Sequence, residues 1–159
     1  MRFLCLVYHE EKKLAALSQR QMDSLVGACI GWVEELEKGG HHILSAGLQS
    51  VRSAATVRLR NGKLSTTDGP FAETKEYLGG FTLINANDFD QALQLAAKFP
   101  SAGIGSMEVR PLIEPGEEAA DPLDQKILAA ILQNPSGVNP FAASPMVSRP
   151  QPDSTLVSP

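Results

Sequence analysis

Cysteine is scarce in this chain of 159 residues: there are 2, Cys5 and Cys29, in neither a CxxC nor any metal-like spacing. That excludes a disulfide-stapled secreted module and a cysteine-built metal centre; both thiols fall in apolar segments, where burial is their expected fate. Long hydrophobic runs are missing as well. The N-terminal run Phe3 to Tyr8 is too short for a signal-peptide core or a membrane span, so a cytoplasmic protein with no membrane partner is expected. Basic charge is also short, 14 Lys and Arg against 18 Asp and Glu for a net −4. Residues 1–115 carry 12 − 13 = −1 and residues 116–159 carry 2 − 5 = −3. Neither part offers the basic surface that phosphate backbones require, so no direct nucleic-acid partner is expected. HExxH, the P-loop and GxGxxG are all absent, and so is any Ser/His/Asp order worth defending. No metal site and no cofactor are expected.

What the chain does have is amphipathic periodicity. Its 43% hydrophobic content suits one domain with a real core and an appendage. Phe3 to Tyr8, bounded by charge, reads as a central strand buried on both faces. Ser18 and Gln21 have the spacing of a capping box, and Met22, Leu25, Val26, Cys29, Ile30, Val33 and Leu36 follow as one helical stripe. Gly39-Gly40 ends that helix. His41 to Leu48 reads as a second strand. In Ala54 to Arg60, Ala55, Val57 and Leu59 alternate with Thr56, Arg58 and Arg60, and Asn61-Gly62 turns the chain into a short return arm, Lys63 to Thr67. Tyr77 to Ala86 is another strand, interrupted by Gly79-Gly80, which suggests a bulge or a close approach by another backbone or a ligand. Asp88 and Gln91 open a second helix, with Phe89, Ala92, Leu93 and Ala96 inward, and Pro100 stops it. Ser106 to Ile113 is the last strand, its Met107 and Val109 opposed to Glu108 and Arg110.

This order matches an α+β fold, a ferredoxin-like antiparallel sheet with two helices on one face plus a hairpin arm. Helices on one side leave the other face bare. Pairing two such faces in a homodimer is the expected way to bury it. From Pro115 the composition changes, since 8 of the 11 prolines lie there or beyond. The expected division is a domain over residues 1–114 and a Pro-rich extension over 115–159. Within the extension, residues 121–133 have the spacing of one short helix. Beyond Asn134 two readings stand, a flexible tail or an arm that packs on the core or a partner subunit.

Charged, turn-forming and aromatic residues are densest in Asp68-Gly69-Pro70-Phe71-Ala72-Glu73-Thr74-Lys75-Glu76-Tyr77. An aspartate at a turn normally accepts the backbone N–H two residues on, but here that residue is Pro70, which has none. Asp68 must bond further along, for instance to Phe71, or leave an oxygen free. A carboxylate pinned beside an aromatic ring is a candidate general acid or base. The competing reading is a structural turn plugged by Phe71, and the two are compatible. In extended backbone Glu73 and Lys75 share a side and pair, while Glu76 faces away. Arg58, Glu108 and Arg110 occupy non-core faces, where in a dimer they either hold an anionic ligand or form an interface salt-bridge network. Tyr8 and His9 end the first strand, near the mouth of any pocket there. His41 and His42, adjacent on a strand, point to opposite faces and make a poor chelate.

The Asp68–Glu76 run, with Gly47-Leu48, Val57-Arg58, Gly79-Gly80 and Glu108-Val109-Arg110-Pro111, resembles the DGPF signature of the YCII-related proteins. The resemblance spans residues 1–113 and implies a dimeric α-β barrel with a pocket in or beside the dimer interface. In the broader superfamily some members resemble muconolactone isomerases in fold. Others are thought to use a His–Asp pair for lyase-type chemistry, such as dehalogenation of a ring. That histidine belongs near the start of the first helix, and residues 18–38 here contain none. Acid–base chemistry of a lyase or isomerase would then fall to Asp68, with Arg58 or Arg110 binding an anion. The resemblance also implies an alternative, a non-catalytic accessory or regulatory protein linked to sigma-factor stress regulation. The expected partners are a second copy of the chain and a small-molecule ligand.

Overall fold

A computed structural model describes residues 1–72, 74–114 and 121–134. The chain divides into two compact units, Met1–Leu112 and Ile113–Pro159. In the first, a four-stranded antiparallel sheet is formed by β1 (Arg2–Glu10), β2 (His42–Gly47), β5 (Glu76–Asn85) and β6 (Gly105–Pro111), in the order β2-β5-β1-β6. Strands β3 (Ala55–Arg60) and β4 (Lys63–Asp68) form a separate hairpin. Its turn is Asn61-Gly62, both at positive φ (50° and 74°), as a twist-matched two-residue turn requires. Three helices complete the unit: α1 (Glu11–Ala15), α2 (Gln19–Lys38) and α3 (Phe89–Ala96). The chain is thus α+β with an antiparallel sheet.

The capping box at α2 is complete. Ser18 Oγ accepts from the Gln21 N–H, and Gln21 Oε1 accepts from the Ser18 N–H at 2.9 Å. Asp88 does the same work for α3, accepting from the Gln91 N–H at 2.7 Å. Ser18→Ala strands a donor of the first helical turn and should cost about 1 kcal/mol, read as a lower denaturant midpoint with an unchanged slope.

Side chains alternate across a strand, so β1 sends Phe3, Cys5 and Val7 to one face and Leu4, Leu6 and Tyr8 to the other. In the single chain the first set is buried and the second half-buried. Trp32 and Leu36 of α2, with Ala92 and Ala96 of α3, close over Phe3, Cys5 and Ile84. Met107 and Val109 pack against the same cluster. The helical stripe is rotated from its expected phase: Trp32 is 4% exposed, while Val26 and Ile30 are 49% and 56% exposed. The inward line runs from the half-buried Leu25 and Cys29 to the buried Trp32 and Leu36, at steps of four, three and four residues. Val26 and Ile30 each lie one residue, about 100°, round from it. In α3 likewise, Phe89 and Leu93 stay largely exposed while the small Ala92 and Ala96 are buried.

Burial of Cys5 pushes its thiol up to about 11, so it remains an inert apolar group. On the far side of the sheet, alternation and register place Leu4, Leu6 and Tyr8 beside Phe81, Leu83, Leu44, Glu108 and Arg110. No described helix of this unit contributes to the core from that side. In the second unit, α4 (Pro122–Leu132) starts where Asp121 accepts from the Leu123 N–H at 2.7 Å, with a proline in its first turn. The segment beyond Asn134 lies outside the described residues. Among those described, no helix is long and apolar enough to cross a membrane.

Candidate functional site

The site begins with a bulge. Val7 faces Gly80 but Tyr8 faces Leu78, which leaves Gly79 as the extra residue of β5. A Cβ on Gly79 would lie 2.3 Å from His9 Cδ2, so the imidazole occupies the space a side chain would need. A Cβ on Gly80 would meet the Ala46 carbonyl oxygen at 2.8 Å. Both glycines serve close approach within the chain. His9 Nδ1 is buried with no hydrogen-bond partner among the described residues. Burial lowers the pKa of the ring, favouring the neutral form.

Beside the bulge lies a cavity of about 620 Å³, within the usual range for small-molecule sites. Three stretches far apart in sequence wall it: Tyr8, the turn between Leu48 and Ala54, and Pro70–Ala72 with Thr74 and Glu76–Leu78. The middle stretch is held by the Leu48 N–H donating to the Gly79 carbonyl at 2.8 Å and by the single 3₁₀ turn Val51–Ser53. The signature turn is tied to the start of β3: the Gly69 N–H donates to Ala54 at 2.8 Å, and Thr56 Oγ1 donates to the Gly69 carbonyl at 2.9 Å. The Thr74 hydroxyl donates to the Glu76 carbonyl. Together these ties hold Phe71, Tyr77 and Tyr8 around one space.

The candidate residues separate into groups. Tyr8 donates to Glu108 Oε2 at 3.3 Å, and Arg110 Nε lies 3.8 Å from Glu108 Oε1, a short chain along the uncovered sheet face. Partial burial first, then the Glu108 charge and hydrogen bond, raise the Tyr8 pKa against a smaller opposing effect of Arg110. The hydroxyl therefore stays protonated and able to donate. Arg58 lies over the Phe71 ring, 5.4 Å from its centroid. Glu76 lies on the cavity wall, opposite Glu10 in the strand register. Lys75 is exposed, and its expected partner Glu73 lies outside the described residues.

Asp68 is the last residue of β4, opposite Ala55; it is exposed and is not part of the cavity wall. Among the described residues its carboxylate has no hydrogen-bond or ion-pair partner, and the Phe71 N–H is not one. His41 Nδ1 lies 2.9 Å from the Asn85 carbonyl and His42 Nε2 lies 2.9 Å from Ser45 Oγ, so both rings are engaged in the fold. No group of three or more His, Cys, Asp or Glu is gathered for a metal among the described residues. Tyr77 and the serines of the 49–53 turn were not singled out by sequence reasoning. The signal for that turn was the serine pair flanking Val51 and Arg52, where Ser50 caps the 3₁₀ turn.

The YCII-related domain model matches residues 1–115, the whole sheet and its cavity. The chain belongs to the YCII-related family. A YCII-related relative, an uncharacterized protein of Rhizobium meliloti (strain 1021), is 36% identical over 121 residues, covering 74% of this chain and 98% of the relative. Among solved structures, 5-chloro-2-hydroxyhydroquinone dehydrochlorinase from Burkholderia phenoliruptrix AC1100, in complex with 2,5-dihydroxybenzoquinone, aligns with a TM-score of 0.43 and 18% identity. That alignment covers 73% of this YCII-related chain and 96% of the dehydrochlorinase, and so loose a likeness transfers no chemistry.

Proposed function

We propose that this YCII-related protein is a homodimer that binds a small, largely apolar molecule in the cavity beside the β5 bulge. The observation that carries this reading is the cavity itself, walled by the signature residues Pro70, Phe71 and Ala72 and by Tyr8 of the central strand. Aromatic walls with a few placed polar groups are the usual make-up of a ligand site. The strand order β2-β5-β1-β6, with α2 and α3 on one face, supports a ferredoxin-like sheet. The apolar residues of the other face support the pairing of two sheets in a dimeric α-β barrel.

Tyr8 is the polar group best placed for chemistry. Its protonated hydroxyl donates its one proton in a hydrogen bond to Glu108 in the free protein and, by turning that proton from the carboxylate to a ligand oxygen, stabilises negative charge that develops there, as lyase or isomerase chemistry demands. Asp68, outside the cavity wall, serves the turn that positions Phe71.

Native mass spectrometry of the purified protein tests both parts at once. The expected spectrum shows twice the chain mass with a small-molecule adduct, and Phe71→Ala keeps the dimer while losing most of the adduct. An adduct retained in full by Phe71→Ala would remove the cavity from the argument, and a chain of single mass would remove the dimer.

A further inference from the structure

Phe71 lines the cavity and is nevertheless 79% exposed. An apolar ring standing at the rim of a cavity needs something to hold it, and what holds this one is a cation, Arg58, 5.4 Å from the ring centroid. Other arginines near this end of the sheet are paired with carboxylates. Arg52 lies 3.2 Å from Glu11, and Arg110 lies 3.8 Å from Glu108. Arg58 differs: among the described residues no carboxylate pairs with it. A π face positions a guanidinium without neutralising it, so although Arg58 is not itself part of the cavity wall, its charge stays available to a ligand group that reaches past the Phe71 ring. The backbone beneath it is rigid, since Arg58 faces Ser65 within the β3–β4 hairpin and the neighbouring Thr56 is bonded to Gly69 of the signature turn. The ordering cost of presenting this cation is therefore partly met before any ligand arrives. Among the described residues Glu76 is the carboxylate on the cavity wall, so an anionic group is repelled from its side and drawn to the Phe71 side.

We propose that Arg58 makes this cavity selective for anionic ligands: a planar apolar molecule with one carboxylate- or sulfonate-class group, its ring among Tyr8, Phe71 and Tyr77 and its anion on the guanidinium. The inference rests on the cavity being the ligand site, and it assigns the anion to Arg58 rather than to Arg110. A guanidinium suits this task because its planar fork meets two oxygens of such a group at once.

Two fluorescent probes test it with the full-length protein, 8-anilinonaphthalene-1-sulfonate and the neutral N-phenyl-1-naphthylamine, which has the same rings without the sulfonate. Arg58→Gln should weaken the sulfonate probe roughly tenfold while the neutral probe changes less than about twofold. Arg60→Gln removes the same charge from the same hairpin face without touching Phe71 and should leave both probes within about twofold. Ala72→Trp, at an exposed wall position, fills the cavity and should abolish both signals. If Ala72→Trp leaves both probes bound, the cavity is not where they bind, and the ligand-site reading falls together with the inference. If Ala72→Trp abolishes both but Arg58→Gln weakens the two equally, or neither, the ligand site stands and the selectivity of Arg58 is overturned. An Arg60→Gln effect matching that of Arg58→Gln would also overturn it, by showing long-range charge alone.

Discussion

Gly105→Ala should lower the stability of the first unit by about 3 kcal/mol, seen as a fall of about 12 °C or more in the thermal midpoint, and should weaken ligand binding where the protein is still folded. A Cβ at this position would lie 1.9 Å from the Tyr8 carbonyl oxygen, 3.0 Å from its carbonyl carbon and 3.2 Å from His9 Cα. All three are backbone atoms of β1, the inner strand held by β5 on its other side, so they have little room to retreat. Relief must come from β6, the edge strand, which would withdraw from the rungs Tyr8–Ser106 and His9–Gly105. Withdrawal also carries Glu108 away from the Tyr8 hydroxyl it orients. Stability and site are thereby lost together. Gly31→Ala, where an added Cβ meets nothing within 4 Å, is the matched control and should not destabilise. A wild-type midpoint for Gly105→Ala would show that β6 yields freely at its first residue, and the argument for a rigid Tyr8–Glu108 pair would go with it.

How much of this was legible beforehand depends on whether a feature is local. Capping at Ser18 and Asp88, the Asn61-Gly62 turn and the bulge at Gly79-Gly80 each arise from the chemistry of a few adjacent residues, and each forms where that chemistry points. The phase of α2 was harder. Val26 and Ile30 are as apolar as the residues that turn inward, and only contact with Ile84 and Phe3 decides that Trp32 faces the sheet. The cavity was legible only in part: Tyr8, Phe71 and Glu76 were among the candidates and line it, but its middle wall between Leu48 and Ala54 was not foreseen. Its walls come from three segments separate in sequence, brought together because β5 returns between β1 and β2. Turn chemistry at Asp68 indicated an oxygen lacking its usual local partner, but not the side of the chain on which that oxygen would lie. The side was set by the pairing of β4 with β3, in which Asp68 faces Ala55.

Trp32→Ala should cost about 4 kcal/mol, a large share of the stability of a domain this size, yet leave the ligand site intact. Trp32 is 4% exposed and meets Phe99 edge to face, with ring centroids 4.9 Å apart at 71°. Its Nε1–H donates to the Leu95 carbonyl at 3.0 Å, which ties the middle of α2 to the end of α3. Truncation opens a void the size of an indole beneath both helices. The Leu95 carbonyl still accepts from the Lys98 N–H at 3.3 Å, so the cost is lost packing more than an orphaned acceptor. Trp32→Phe keeps a ring in the space and should cost about half as much, which separates packing from the hydrogen bond. None of these contacts belongs to the cavity wall. Measured in the cold, where Trp32→Ala is still folded, both naphthalene probes should keep their wild-type dissociation constants, whereas Gly105→Ala should weaken them. Equal weakening by the two variants would mean that the helix layer and the bulge move as one body, and that Tyr8 is held by the core packing behind β1 rather than by its register with β6.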